Sequence, residues 1–354
     1  MQRKTKKSSK TNMEIYLKDQ AKRLFYGRDI PVDSLISQLQ AFGLPKFRCQ
    51  QIFDWIWKKN VGSFDAMHNL GAPTKALLES QFTIGKIRLE TSQVSKDKTI
   101  KCGYSTLDGK TIEGVLIPTK KRMTACVSSQ AGCSLSCSFC ATGKLKLQKN
   151  LSAGEIIDQI VDLNRLAQEH YNIPLSNVVL MGMGEPLLNY KNVMEAMAIA
   201  TSPNGLHMSP RRITLSTAGI AKMIKRLGDD GVKFNLALSL HAANDKKRSE
   251  IMEINDSNNL ETLREALVYF HEKTEARITF EYILLSGFND SMEDAAELAR
   301  FARCVPCKIN VIEYNPIEDG IFQKSNPEQT DQFVSFLTQK NLIVNVRRSR
   351  GKDI

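Results

Sequence analysis

The sequence predicts an α/β protein: an incomplete parallel (β/α)6 barrel with a small N-terminal helical accessory domain. Three observations lead there. From Arg122 onward, short apolar runs alternate with helical patterns, which implies parallel β/α units with right-handed crossovers. Small polar residues follow the ends of those runs, where such architectures build their sites. Ahead of them, residues 13–81 carry helical rather than alternating periodicity.

Residues 1–12 hold Arg3, Lys4, Lys6, Lys7 and Lys10 and read as a disordered basic tail. Within 13–81 the dense segment is Phe47–Trp57, where Ile52, Phe53 and Ile56 recur at helical spacing. Trp55 and Trp57 fall in the same apolar cluster and read as core packing. Gly43-Leu-Pro45 is the loop into that helix. Residues 82–121 form a small β element: Lys98–Tyr104 and Lys110–Ile117 flank the turn Leu107-Asp-Gly109. The barrel occupies 122–346, with strands over Met123–Val127, Asn177–Met181, Arg212–Ser216, Phe234–Leu240, Ile278–Leu285, Lys308–Tyr314 and Leu342–Val346. A capping box at Ser152-Ala-Gly-Glu155 starts a helix whose apolar face is Ile156, Ile160, Leu163 and Ala167.

A chain of 354 residues with 42% hydrophobic content suits one barrel-sized domain plus a smaller one. No apolar run is long enough to cross a bilayer, and the polar N-terminus is no signal peptide. A net charge of +11 favours a polyanionic partner, nucleic acid foremost. Its basic groups include Lys120-Lys121-Arg122, Lys144/Lys146/Lys149, Arg211-Arg212, Lys246-Lys247-Arg248 and Arg347-Arg348-Ser349-Arg350.

Chemistry concentrates in Gly132-Cys-Ser-Leu-Ser-Cys-Ser-Phe-Cys-Ala-Thr-Gly143. Three thiolates, Cys133, Cys137 and Cys140, leave one iron of a 4Fe-4S cubane without a protein ligand. Such an open position can chelate the amine and carboxylate of S-adenosylmethionine, as a catalytic metal keeps a place for substrate. Zinc would need a second ligand pair, for which Cys304 and Cys307 are the available cysteines. A disulfide framework does not suit eight cysteines in a long chain without a secretion signal. Free thiols and an oxygen-sensitive cluster point to the reducing cytoplasm.

The strand ends add Gly182-Met-Gly-Glu-Pro186, Ser216-Thr-Ala-Gly219, Ser239-Leu-His241 and Tyr314-Asn-Pro316. The glycine run lacks the third glycine of a dinucleotide fingerprint. Each motif alone also fits turn or capping chemistry, and His241 alone fits a core histidine. Their shared placement favours cofactor binding.

With these elements together the chain closely resembles the RlmN/Cfr family of radical S-adenosylmethionine RNA methyltransferases, from about Phe47 to Ile354. The stretches carrying the likeness are Cys126-Val-Ser-Ser-Gln-Ala-Gly-Cys133, Met181-Gly-Met-Gly-Glu-Pro-Leu-Leu-Asn189, Ser209-Pro-Arg-Arg-Ile-Thr-Leu-Ser-Thr217, Leu238-Ser-Leu-His241 and Arg347-Arg-Ser-Arg-Gly-Lys-Asp-Ile354. The Glu-Pro-Leu-Leu-Asn run looks more like the branch that methylates carbon 2 of adenine in 23S rRNA, and possibly in tRNA. Adenine carbon 2 and a sulfonium methyl are both electrophilic, so polar transfer has no driving nucleophile. A radical route avoids this, with the chemistry supplied by the cofactor.

The resemblance implies that one S-adenosylmethionine methylates a cysteine near the C-terminus and that a second yields a 5′-deoxyadenosyl radical. By motif match it makes Cys126 the resolving cysteine and Glu113 the proton acceptor. Gly184, Glu185, Ser216, Ser239, Leu240, His241 and Asn315 become cofactor contacts, with Cys133, Cys137 and Cys140 holding the cluster. It implies large-subunit rRNA as partner, an electron donor such as a flavodoxin, and a monomer. Residues 347–354 would begin a C-terminal active-site loop. The family's methyl-carrying cysteine falls four residues beyond Ile354, and no cysteine follows Cys307 in the sequence. The chain as written is expected to cleave S-adenosylmethionine without methylating RNA. Two rival readings remain: a Cfr-type carbon-8 methyltransferase, and a zinc-stapled RNA-binding module without catalysis.

Overall fold

The computed structural model describes residues 32–354 apart from 58, 60, 83, 121, 204 and 319. The basic tail expected over 1–12 lies outside the described residues, as does the helical stretch expected from 13 to 31.

Among the described residues three helices come first: α1 (Val32–Ala41), α2 (Lys46–Trp57) and α3 (Ala72–Gln81). Helix α2 buries Cys49, Ile52, Phe53 and Ile56, the stripe its three-and-four spacing dictates. These side chains join the same apolar core as the barrel strands. Trp55 packs partly on that core, with the Lys59 ammonium 3.5 Å from its ring centroid.

Strands β1 (Arg88–Val94), β2 (Ile100–Ser105) and β3 (Thr111–Pro118) pair antiparallel. β3 pairs the same way with β4 (Met123–Cys126). The expected hairpin is therefore the edge of the main sheet, widened by β1. That strand is exposed along nearly all its length, so no alternation marks it in the sequence.

Beyond β4 every further pairing in this sheet is parallel. It runs from β4 through β7 (Asn177–Leu180), β8 (Ile213–Thr217), β9 (Asn235–Ser239), β10 (Ile278–Leu284) and β11 (Cys307–Glu313) to β12 (Val344–Arg347). A separate ribbon pairs β5 (Gln130–Ala131) with β6 (Lys149–Asn150). The crossovers carry α4 (Ala153–Tyr171), α5 (Tyr190–Thr201), α6 (Ala221–Asp229), α7 (Asp245–Ile251), α8 (Leu260–Thr274), α9 (Met292–Phe301) and α10 (Pro327–Gln339). Six β/α units thus lead to a seventh parallel strand. The capping box at Ser152 and Glu155 forms as expected, and Leu163 of α4 lies behind Gly114 of β3.

The two edge strands of this ten-stranded sheet, β1 and β12, do not pair with each other. Residues after β12 reach across instead, to the turn between β1 and β2. Gly351 N donates to Asp97 at 3.1 Å, Lys96 N donates to Asp353 at 3.0 Å, and the Ser95 hydroxyl donates to the same Asp353 carboxylate.

Candidate cofactor and radical site

The cysteine loop leaves the β5–β6 ribbon and packs against α7. Ser138 N donates to Ile251 O at 3.1 Å, and Leu135, Cys137 and Phe139 rest on an apolar cluster of Ala218, Ile251, Met252, Leu285 and Tyr314. All eight cysteines are free thiols. Burial, then the neighbouring Cys140 and Cys133, push the Cys137 thiol up to about 12. Cys133 is raised by burial and by Glu185 and Cys140. Cys133 and Cys137, whose ionisation their neighbouring cysteines oppose, fit a cationic iron–sulfur core, which relieves that repulsion. Among the described residues no three His, Cys, Asp or Glu side chains converge as around a single ion.

Glu185 is the acidic residue that acts on these sulfurs, and the chain holds it closely. Its backbone N–H donates to Gln130 Oε1 at 2.8 Å. Its carboxylate accepts from Leu187 N at 3.0 Å and from Ala218 N at 2.7 Å. Burial pushes it up to about 6 against those two donors. Gly184 before it has φ +94°, and a Cβ there would come within 2.4 Å of Gln130 Cβ. Gln130 in turn donates to Asn150 at 2.7 Å. Asn189 closes the turn by donating to Ser129 O and Leu151 O at 2.8 and 2.7 Å.

Ser216 at the end of β8 and Ser239 at the end of β9 bring their hydroxyls within 3.4 Å. Leu240 is buried, and its N–H, like that of His241, donates to Glu281 O. His241 has φ +58°, accepts from Ile283 N at Nδ1 over 3.1 Å, and meets the Phe139 ring edge-on at 4.8 Å. Burial, then the charge of Arg248, push it down to about 3. The imidazole is therefore neutral, with its remaining proton on Nε2. Asn315 lies exposed just past β11.

Cys126 ends β4 opposite Val115 of β3, so Glu113, two residues before Val115, shares its face of the sheet. The opposite face, with Ile112, Leu116 and Ala125, is buried in the core. Burial raises the Cys126 thiol to about 11, opposed by the Met181 N–H and the charge of Arg347. Arg347 belongs to β12, at the other end of the run of parallel strands that β4 begins. Glu113 is half-exposed and pairs with Lys101 at 3.0 Å. Cys304 and Cys307 stand apart from this group, with Cys307 donating to Ala302 O at 3.2 Å.

The structure corrects one sequence reading. Arg248, counted among the basic groups that favour a polyanionic partner, is wholly buried. Its guanidinium donates to Leu240 O, Asn255 Oδ1, Ala218 O and Ser239 O at 3.1, 2.8, 2.6 and 3.3 Å. It ties the ends of β8 and β9 to α7, behind the cysteine loop. Asn289, also unforeseen, donates to His241 O and Ile283 O at 2.6 and 2.8 Å.

Comparison with known proteins gives a consistent result. The radical SAM superfamily model matches residues 127–299. The ribosomal RNA large subunit methyltransferase N-terminal domain matches residues 28–84. A probable dual-specificity RNA methyltransferase RlmN from Cytophaga hutchinsonii is 53% identical over 92% of the chain and 90% of its own length. The dual-specificity RNA methyltransferase RlmN of Campylobacter lari is 40% identical over 91% of the chain and 94% of its own length. The crystal structure of a radical SAM methyltransferase from Sphaerobacter thermophilus superposes with a TM-score of 0.88 at 38% identity. It covers 92% of this chain and 96% of that one.

Proposed function

The chain belongs to the RlmN family of radical SAM RNA methyltransferases, and from that premise we propose that it methylates carbon 2 of an adenine in 23S rRNA, with tRNA as a second substrate. The observation that carries this reading is the meeting of the cysteine loop, Glu185 and the two serines at one end of a parallel barrel.

Cys133, Cys137 and Cys140 would hold the 4Fe-4S cluster, whose bound form supplies the electron for reductive cleavage of S-adenosylmethionine. Gly184, packed against Gln130, lets the chain turn at positive φ so that Glu185 meets the methionine end. Glu185 faces the ammonium with the lone pairs its two N–H donors leave free. The Ser216 and Ser239 hydroxyls bind the carboxylate and ribose oxygens, and Asn315 meets the adenine from the rim. Neutral His241 shapes the wall without adding charge.

Cys126 is the resolving thiol. Its high pKa keeps it protonated in the resting enzyme, so Arg347 and the Met181 N–H serve to stabilise the thiolate when attack is required. Glu113, on the same sheet face, takes the proton from adenine carbon 2, and Lys101 pairs with that carboxylate. The N-terminal helical unit and the basic surface bind RNA in the cytoplasm.

Anaerobic reconstitution tests this directly. The protein is expected to take up about four irons and form 5′-deoxyadenosine on reduction, and Cys137→Ser to lose both. Mass spectrometry of nucleosides from 23S transcripts, with the family's Asp-Ala-Ala-Cys continuation present, should then give 2-methyladenosine. Iron-free protein, or 8-methyladenosine, would overturn the assignment.

A further inference from the structure

The segment Lys144-Leu-Lys-Leu147 is exposed throughout, with Leu145 at 46% and Leu147 at 41% of full accessibility. It is also bonded to a cluster cysteine: Cys133 N donates to Leu145 O at 3.2 Å, and Cys133 bridges to Lys146. Gly132 permits this approach, since a Cβ there would stand 2.1 Å from Lys146 O. The Lys144 ammonium reaches Glu318 O, in the loop that carries Ile321 at 82% exposure. An alternation of lysines and leucines thus runs along the backbone that pairs with Cys133.

We infer that this basic and apolar rim is the docking surface for the electron donor: an acidic protein carrying a reduced flavin or iron–sulfur centre. The inference rests on the proposed cluster at Cys133, Cys137 and Cys140. One electron leaves the donor, which is oxidised by one equivalent, and the cluster is reduced by one; no bond is made or broken. Aliphatic side chains ringed by lysine suit a small, transient protein interface steered by opposite charge. A surface that grips unstacked RNA bases would instead present aromatic or arginine planes, and residues 144–148 contain neither.

The test uses reconstituted full-length protein and reduced flavodoxin as the probe, with stopped-flow bleaching of the cluster absorbance as readout. Lys144→Glu/Lys146→Glu and Leu145→Ser/Leu147→Ser should each slow reduction by flavodoxin about tenfold or more. Reduction by dithionite, which needs no docking, should stay unchanged. Added salt should slow the wild-type flavodoxin reaction and spare the dithionite one. Wild-type flavodoxin rates in both double variants would overturn the inference. So would unaltered flavodoxin rates accompanied by loss of RNA binding, which would make the rim an RNA surface. Wild-type protein that holds no iron would instead sink the cluster reading on which the inference rests.

Discussion

Gly184 shows how narrowly one residue can be specified. Its φ of +94° and the 2.4 Å approach of a built Cβ to Gln130 exclude any side chain. Gly184→Ala is expected to destabilise the chain by about 1–3 kcal/mol and to abolish S-adenosylmethionine binding; chemical unfolding and equilibrium dialysis read the two effects. Its neighbour Glu185 carries a pH signature. A carboxyl raised from 4.5 to about 6 contributes its stability in full below pH 4.5 and loses it as the pH rises through about 6. The cofactor-free wild type should therefore lose about 2 kcal/mol relative to Glu185→Gln across that window, measured as the difference between their denaturant midpoints at each pH. A constant difference would refute the buried carboxyl. His241 acts in the opposite sense: its stability is present above pH 6.5 and is lost as acidity increases toward pH 3.

At the scale of elements, legibility tracked burial. The strands buried on both faces, β8 to β11, were found to within a residue or two, because apolar runs bounded by polar turns have few other readings. Strand β1 was invisible because its side chains face water and only its backbone pairs. The site divides the same way. Cys133, Glu185 and Ser216 stand in motifs, whereas Arg248 and Asn289 act through side chains aimed at backbone carbonyls, which leave no pattern in one dimension. The segment after β12 is held by two carboxylates, Asp97 and Glu313. Glu313 accepts from Ser349 N at 2.9 Å and pairs with Lys352 at 3.0 Å and with Lys324. Burial opposes ionisation of both carboxylates, yet each is held down to about 2, Asp97 by Thr99 and then the Gly351 N–H, Glu313 by Lys324, Ser349 N and Lys352. The hold therefore persists above the ordinary carboxylate range and is lost in acid as the pH falls toward 2. Asp97→Asn should loosen the segment and speed tryptic cleavage after Arg348 and Arg350 about threefold or more, as followed by mass spectrometry of timed digests. An unchanged cleavage rate would show that Asp97 is not a clamp.

For the molecule as a whole, +11 of net charge is the property an RNA would feel first. Binding of a 23S fragment should weaken about tenfold or more between about 50 and 200 mM salt, as filter binding would measure. Insensitivity to salt would remove electrostatics from recognition. Composition and motif spacing made the class of partner and cofactor readable from the sequence. They did not disclose that the antiparallel strands and the parallel barrel are one continuous sheet, because pairing between distant segments leaves no local trace.

That sheet has a consequence for how the protein is born. Ser95 and Asp353, whose contact straps one margin to the other, stand 258 positions apart in the chain. A polypeptide still tethered to the ribosome has made its cysteine loop and serine pair long before Asp353 emerges, and its cask stands unhooped. Such a nascent chain holds its cluster cysteines early, but the seam between the sheet margins is latched only once Asp353 has been made.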